Sequence, residues 1–462
     1  MIARTALALG EPLASEDAYI TFRYARNLAE GAGLVYNPGE HVMGFTSPLW
    51  TLWCALGFAV HCDPVWWTRL TVVVTDCLVI AWATDHLSRR YSKAAAWAFA
   101  LFYAVWPLFA ASAVSGLESN VVFFLMFAAA RAMEREHPLA GPVLGLLAVS
   151  RPEGTVAAIV LALRAKRRDQ LIAASIFALS VIGLASYYGS AVPQSVMAKA
   201  GIYGMPGPLS GIQWWDWLVP FPLGRWPISS EGIQLIPLSL LFLVSLMYGI
   251  REWRGRFPEP VTLLPLAGVT ILAGYALSGT AYFWWYLTVP LASLSLLAAM
   301  GFPLAATARP FRIAALAVVL GVWALAFPFY QGRAGTEYVN NVSASNVLKQ
   351  LARPDDQVLI EPMGLVGFET RLRVLDEVGL VTPETVRRRQ AGAGWYADLV
   401  ATHRPEWIVV RNATVESPNG YAGVGAPFRN ESERNGTFSQ YELVWPTSPT
   451  PGINLRVLRR LG

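Results

Sequence analysis

Long apolar runs separated by short basic or aromatic connections predict a bundle of membrane-spanning helices. Apolar windows fall at roughly 66–86, 93–112, 118–133, 138–150, 153–164, 170–187, 233–250, 259–279, 283–302 and 312–330. Crossing the hydrocarbon layer takes about 20 apolar residues, so 138–150 and 153–164, divided by Arg151-Pro152, are expected to tilt or pair. Residues 46–60 are apolar enough for a short helix, but counting them as a crossing would invert every later connection, so they are expected to lie in the interface. Over 17–30, Tyr19, Ile20, Tyr24 and Leu28 share one helical face, while Arg23, Arg26, Asn27 and Glu30 lie largely elsewhere. That spacing predicts a second interfacial helix. Residues 16–65 therefore read as one loop with two membrane-parallel helices, and 188–232 as a second loop on the same side. Ahead of them, Met1 to Gly10 amounts to about half a span.

The pattern changes after Tyr330. Residues 331–462 carry 15 Lys/Arg and 14 Asp/Glu in short mixed elements, which predicts an extramembrane domain. Gln357–Glu361 and Trp407–Arg411 read as buried strands, and Ser345–Ala352 and Thr385–Ala397 as helices, giving a small α/β layer. Two domains are thus expected: a helical membrane domain over 1–330 and an α/β domain over 331–462.

Charge placement orients the bundle. The alternate connections 87–93, 131–137, 164–168, 251–256 and 303–312 together hold 14 Lys/Arg, and the opposite set holds only Arg23, Arg26, Arg151, Lys199 and Arg225. By the positive-inside rule the second set, and the C-terminal domain with it, lies outside the cytoplasm, as expected of a multi-pass plasma-membrane protein. Composition agrees: of 462 residues 54% are hydrophobic and 15% charged, with a mean hydropathy of +0.41. An ordinary soluble domain is about 25% charged, so a soluble globular enzyme is excluded. The net charge of +5 is spread over membrane-edge connections and forms no basic face, which argues against nucleic acid. Cys54, Cys62 and Cys77 sit in apolar or membrane-edge context and offer no disulfide framework.

Chemistry is expected from the polar groups left at membrane boundaries. Glu16-Asp17 opens the first loop, where adjacent carboxylates suit a general base with a hydrogen-bonding neighbour, or simply a helix N-terminus favoured by the macrodipole. Ser115-Gly-Leu-Glu118 and Arg151-Pro-Glu153-Gly place an acid, then a base with an acid, at boundaries where charges line cavities or pair structurally. Lys199 closes the run that begins Tyr187-Tyr188, in a loop otherwise poor in bases. It suits a lipid phosphate, or snorkelling to the interface.

Three blocks resemble a known family: Glu-Asp-Ala-Tyr-Ile-Thr-Phe-Arg-Tyr-Ala-Arg-Asn-Leu at 16–28, Gly-Leu-Val-Tyr-Asn-Pro-Gly-Glu at 33–40 and Gly-Phe-Thr-Ser-Pro-Leu-Trp at 44–50. Together with Ser115–Glu118, Arg151–Gly154, the run ending at Lys199 and Leu375-Asp-Glu-Val-Gly-Leu380, they resemble the GT-C superfamily of membrane glycosyltransferases. More narrowly, they are similar to the group typified by the mycobacterial terminal β-(1→2)-arabinofuranosyltransferase. The family usually carries Asp-Asp where this chain has Glu16-Asp17, which keeps both charges, and a full membrane helix ahead of the pair.

The resemblance implies a GT-C-like multi-span helical fold with an extracytoplasmic α/β domain. It also implies transfer of a sugar, arabinofuranose in the narrower group, from a polyprenyl-phosphate donor to a hydroxyl of an envelope glycan, lipid or protein. On that reading Asp17 is the base or the stabilising carboxylate, and Glu16 orients the acceptor. Lys199 and Arg151, with Arg23 in reserve, hold the donor phosphate; Glu118, Glu153, Tyr188 and His41 position sugars. No cofactor is certain, and a divalent metal stays open although no ligand set indicates one. Two other classes use many spans, a transporter and a non-catalytic envelope polysaccharide-assembly protein. The two halves show no matching broken-helix repeats, and a carrier has little use for the loop that opens on a carboxylate pair.

Overall fold

The computed structural model describes residues 14–203, 230–255, 257–278, 283–305, 339–416, 425–448 and 451–462, with 313, 317 and 321. The half-span at 1–10, most of the second loop and nearly all of the 312–330 window lie outside the described residues. In chain order come α1 (Glu16–Ala29), α2 (Pro48–Ala59), α3 (Pro64–Arg90), α4 (Lys93–Val105), α5 (Pro107–Val114), α6 (Ser119–Glu134) and α7 (Ala140–Ala148). They are followed by α8 (Pro152–Ala162), α9 (Arg167–Tyr188), α10 (Gln194–Tyr203), α11 (Ser230–Arg254), α12 (Leu263–Ser278) and α13 (Thr288–Ala305). Among the described residues, four helical units are long and apolar enough to cross a membrane: α3, α9, Pro260–Ser278 and Trp284–Leu304.

The 93–112 window is not one straight helix. Pro107 cannot donate to the preceding turn and forces Trp106 into extended backbone, so α4 and α5 meet at a 55° bend and make a fifth span only if taken together. Arg151-Pro152 likewise separates α7 from α8, which pack side by side as short helices. Burial along the bundle is uneven. The Trp284–Leu304 unit has 83% of its apolar window inside the protein, whereas α9 has 6%, leaving Leu179 and Ile182 bare. An apolar face of that extent requires a lipid surround.

A helical run over 339–351 leads into β1 (Gln357–Ile360), α14 (Met363–Thr370), β2 (Arg373–Asp376), α15 (Pro383–Ala391), α16 (Trp395–His403), β3 (Trp407–Arg411), β4 (Tyr441–Trp445) and β5 (Leu455–Arg460). The sheet order is β2-β1-β3-β5-β4; β2, β1 and β3 run parallel, and β5 pairs antiparallel with both β3 and β4. The single helix expected over Thr385–Ala397 is two, because Gly392 and Gly394 take φ of 140° and 93° and turn the chain between α15 and α16.

The largest departure from expectation is α1. Its spacing suggested an amphipathic helix lying in the interface, but the structure buries ten of its residues, Arg23, Arg26 and Asn27 included. The polar face is buried because α14 covers it, while α2 packs on α1 from another side. Ile20, Tyr24, Tyr36, Met43 and Phe45 share a core with Val358, Ile360, Val366, Val374 and Trp407, so the first loop and the sheet domain are packed as one body. The buried polar groups are matched by backbone. Arg23 donates from Nε to Tyr36 O at 2.8 Å, from Nη1 to Gly367 O at 2.7 Å and from Nη2 to Leu372 O at 2.7 Å, with Tyr36's ring beneath it. Burial pulls the guanidinium below its ordinary value. Arg26 reaches Phe368 O, and Asn27 reaches Val35 O and Tyr36 O. By contrast α2 keeps Leu52, Trp53 and Leu56 exposed, the profile expected of a helix lying on a membrane.

Two predictions follow from this packing. Arg23→Ala strips three backbone carbonyls of their partner inside a core, and should cost about 3–5 kcal/mol. Thermal unfolding and protease release of the C-terminal domain would both register it, and an unchanged melting temperature would contradict the clamp. The second concerns the turn after β2. Burial, with Glu361 nearby, pushes the Glu377 carboxyl up to about 8, and burial raises Asp376 to about 6. Both acids keep in the folded domain protons they would release on unfolding, so stability should fall as the pH climbs from about 4.5 towards 8. Glu377→Gln, locked neutral, should gain a few kcal/mol over wild type at pH 8 and much less at pH 5, read from paired urea melts.

Candidate active site

Several helices begin around one cleft between the bundle and the sheet domain. Asp17 sits in the first turn of α1, Glu118 immediately precedes α6, Arg151 precedes α8, and Ser195 and Lys199 lie on α10. The cleft encloses about 520 Å³ of space that includes its solvent mouth. Asp17, Glu118, Arg151 and Lys199 line it, with hydroxyls from Thr21, Thr46, Ser47 and Ser195 and apolar walls from Phe45, Leu117, Trp285, Tyr286 and Leu380. Helix N-termini add positive dipole ends around it, a setting that favours bound anions. Gly44 lets the first loop approach the sheet domain: a Cβ there would lie 2.7 Å from Val381 Cγ1 and 3.0 Å from Leu380 O.

Charge in the cleft is organised around Arg151. Its Nη1 donates to Glu118 Oε1 at 2.5 Å, and its Nε and Nη2 form a fork on the two Glu153 oxygens at 3.0 and 2.8 Å. All three side chains are buried, and Tyr275 OH adds a further hydrogen bond to Glu153. Tyr275 stacks on Tyr286 at 5.2 Å between centroids, and Tyr286 OH accepts from Lys199 Nζ at 3.1 Å. Lys199 also lies 4.9 Å from the Phe283 ring centre. An aromatic relay therefore joins the Arg151 cluster to Lys199.

Of the residues singled out from the sequence, Asp17, Glu118, Arg151 and Lys199 meet in the cleft, and Glu153 backs them through Arg151. Glu16 has a different task from the one its position suggested. Its Oε1 accepts from the backbone N–H groups of Gly364 and Leu365, tying α1 to the start of α14, while Asp17 turns to the cleft. Arg23 does not reach the cleft, since its donors are taken up by the carbonyls that join loop and domain. Tyr188 donates to Leu34 O at 2.5 Å, and His41 lies against Tyr187 with Nδ1 3.2 Å from its carbonyl, so both brace the first loop on α9. The sequence reading passed over Ser47, Ser195, Trp285, Tyr286 and Tyr275. The aromatic run Phe283-Trp-Trp-Tyr286 was a usable signal, and so was the four-residue step from Ser195 to Lys199.

The chain resembles two solved structures along its whole length. ArnT from Cupriavidus metallidurans in the apo state aligns with a TM-score of 0.62 and 14% identity, covering 99% of this chain and 97% of that one. The same protein bound to undecaprenyl phosphate aligns with a TM-score of 0.61 and 12% identity over the same shares. The protein is thus a multi-span helical membrane protein with the GT-C fold and a small C-terminal sheet domain, as the sequence resemblance implied. Residues 330–451 match a family described as a domain of unknown function, DUF8728. No curated protein matches the sequence.

The Arg151 cluster makes a direct prediction. Arg151→Met leaves Glu118 and Glu153 buried without their counter-ion and should destabilise the purified protein by about 3–5 kcal/mol. Adding Glu118→Gln and Glu153→Gln should restore most of that loss. Equal melting temperatures for the single and triple variants would show that the cluster is not held by charge.

Proposed function

We propose that this protein is a GT-C glycosyltransferase that moves a sugar from a polyprenyl-phosphate donor to a hydroxyl acceptor at the non-cytoplasmic face of the membrane. The observation that carries the reading is the meeting, in one cleft at the junction of bundle and sheet domain, of Asp17, Lys199 and the Glu118–Arg151–Glu153 cluster. The fold shared with ArnT, whose structure was obtained with undecaprenyl phosphate, supports the donor class. The blocks at 16–28, 33–40 and 44–50 support the arabinofuranosyltransferase group, with arabinofuranose as the sugar and an envelope glycan as acceptor. The basic connections on the opposite side support an external cleft and an external C-terminal domain. We read residues 1–330 as the membrane domain and 331–462 as the external domain, with the first loop packed on the latter.

Asp17 has no hydrogen-bond or ion-pair partner among the described residues, in contrast to the engaged carboxylates of Glu118 and Glu153. A carboxylate placed that way takes the proton of the acceptor hydroxyl as its oxygen bonds to the sugar's anomeric carbon. The bond from that carbon to the phosphate oxygen breaks, and its electron pair leaves with the polyprenyl phosphate. Lys199 offsets the charge on the departing phosphate, held in place by Tyr286. Arg151 is engaged by two carboxylates and serves as the brace that presents Glu118 to sugar hydroxyls. Glu16 acts as a positioning residue, fixing the start of α1 through α14.

Purified protein in nanodiscs, given a panel of polyprenyl-phosphate sugars and a glycan acceptor, should produce the transfer product by mass spectrometry. Asp17→Asn should lower turnover by at least ~100-fold with the fold intact, and Glu16→Gln by less. Lys199→Ala should raise the donor requirement on the order of 10- to 100-fold with little change for the acceptor. Near-normal turnover of folded Asp17→Asn would remove Asp17 from the base role. Uptake of labelled sugar into liposomes without any transfer product would favour a carrier.

A further inference from the structure

Ser195 carries a buried hydroxyl. It is 3% exposed, its Oγ lacks a hydrogen-bond partner among the described residues, and it lines the cleft. A hydroxyl taken out of water without a partner is unfavourable, and such groups are rare unless a ligand completes them. Its place is also specific. Ser195 and Lys199 are four residues apart on α10, so they project from one face of the helix into the same end of the cleft. The other cationic side chain of the lining, Arg151, already forms a fork on Glu153 and bonds Glu118. Lys199, on the same helix face as Ser195, donates to the Tyr286 phenol oxygen and lies over the faces of Phe283 and Tyr286.

We infer that Ser195 and Lys199 together form the receptor for the donor's phosphate, the Ser195 hydroxyl donating directly to one phosphate oxygen while the Lys199 ammonium meets another. The inference rests on the glycosyltransferase reading and deepens it by separating the two bases of the cleft. Lys199 receives the phosphate; Arg151 shapes the sugar side. Two donors four residues apart suit the spread of oxygens on a tetrahedral anion, and the start of α10 adds its dipole in the same direction.

The test measures binding of undecaprenyl phosphate to the full chain in nanodiscs, with inorganic phosphate as a second ligand. Ser195→Ala should weaken undecaprenyl phosphate on the order of tenfold, whereas Ser195→Thr, which keeps the hydroxyl, should stay within about threefold of wild type. With the transfer assay, Ser195→Ala should raise the donor KM and leave the acceptor KM unchanged, a split that a loss of packing would not produce. Millimolar inorganic phosphate that competes with the lipid in wild type, and less well in Ser195→Ala, would support a receptor for the phosphate itself. Two results would overturn the assignment alone: wild-type affinity in Ser195→Ala, or equal losses in the Ala and Thr variants. Failure of the wild-type protein to bind undecaprenyl phosphate at all would overturn the donor reading, and this assignment with it.

Discussion

The geometry of the cleft depends on a guanidinium that never enters it. Arg23 is buried with no carboxylate bonded to it among the described residues, and is held by carbonyls from the first loop and from the segment around α14 and β2, more than 300 residues away in the chain. A buried charge is costly unless its donors are satisfied, so this arrangement is stable only when loop and domain are docked. Docking fixes the axis of α1. Because consecutive helical residues point about 100° apart, it also fixes where the first turn sends its two acids, Glu16 into the sheet domain and Asp17 into the cleft. The adjacency that looked like a catalytic pair in the sequence is in the fold a division of labour.

The cleft itself combines an immobile side and an adaptable one. On one side the buried Arg151 bonds both Glu118 and Glu153, and the half-buried Tyr275 bonds Glu153, a network whose members restrain one another. On the other, Lys199 extends along α10 to an aromatic shelf. On the proposed reading, an ammonium set against a braced wall suits a ligand whose sugar end is fixed and whose phosphate gains charge as its bond to the sugar breaks.

Much of this was legible from residue order. Apolar windows located most of the described membrane helices, the mixed composition of the C-terminal stretch anticipated a small sheet domain, and Gln357–Ile360 and Trp407–Arg411 were readable as strands because they are largely apolar runs in the parallel part of a sheet. Strands β4 and β5 were not readable, since the edge strand Tyr441–Trp445 exposes Glu442 and Leu443, and Leu455–Arg460, though paired on both sides, interleaves three arginines with its apolar residues. The misreading of α1 has a definite cause. Amphipathic spacing reports one apolar face, but it does not reveal that distant backbone carbonyls will receive Arg23 and Arg26, nor that Val35 and Tyr36 will receive Asn27. Ser195 escaped for the opposite reason: its significance lies in a buried hydroxyl with no partner among the described residues, which residue order does not show.

The core shared by residues 20–45 with the strands of the C-terminal domain also bears on biogenesis. During synthesis α1 emerges early, yet backbone carbonyls that receive Arg23 and Arg26 belong to residues made some 340 positions later. Until then Arg26 and most of the Arg23 guanidinium lack those carbonyls, and a loop closed across most of the polypeptide is entropically slow to form. The membrane bundle can insert and pack while the chain is still growing, but the cleft is assembled last. A nascent chain that stalls after its final span would hold the Arg151 cluster with Asp17 unanchored, and would present α1 as an exposed amphipathic segment of the kind that chaperones and proteases at the membrane surface capture.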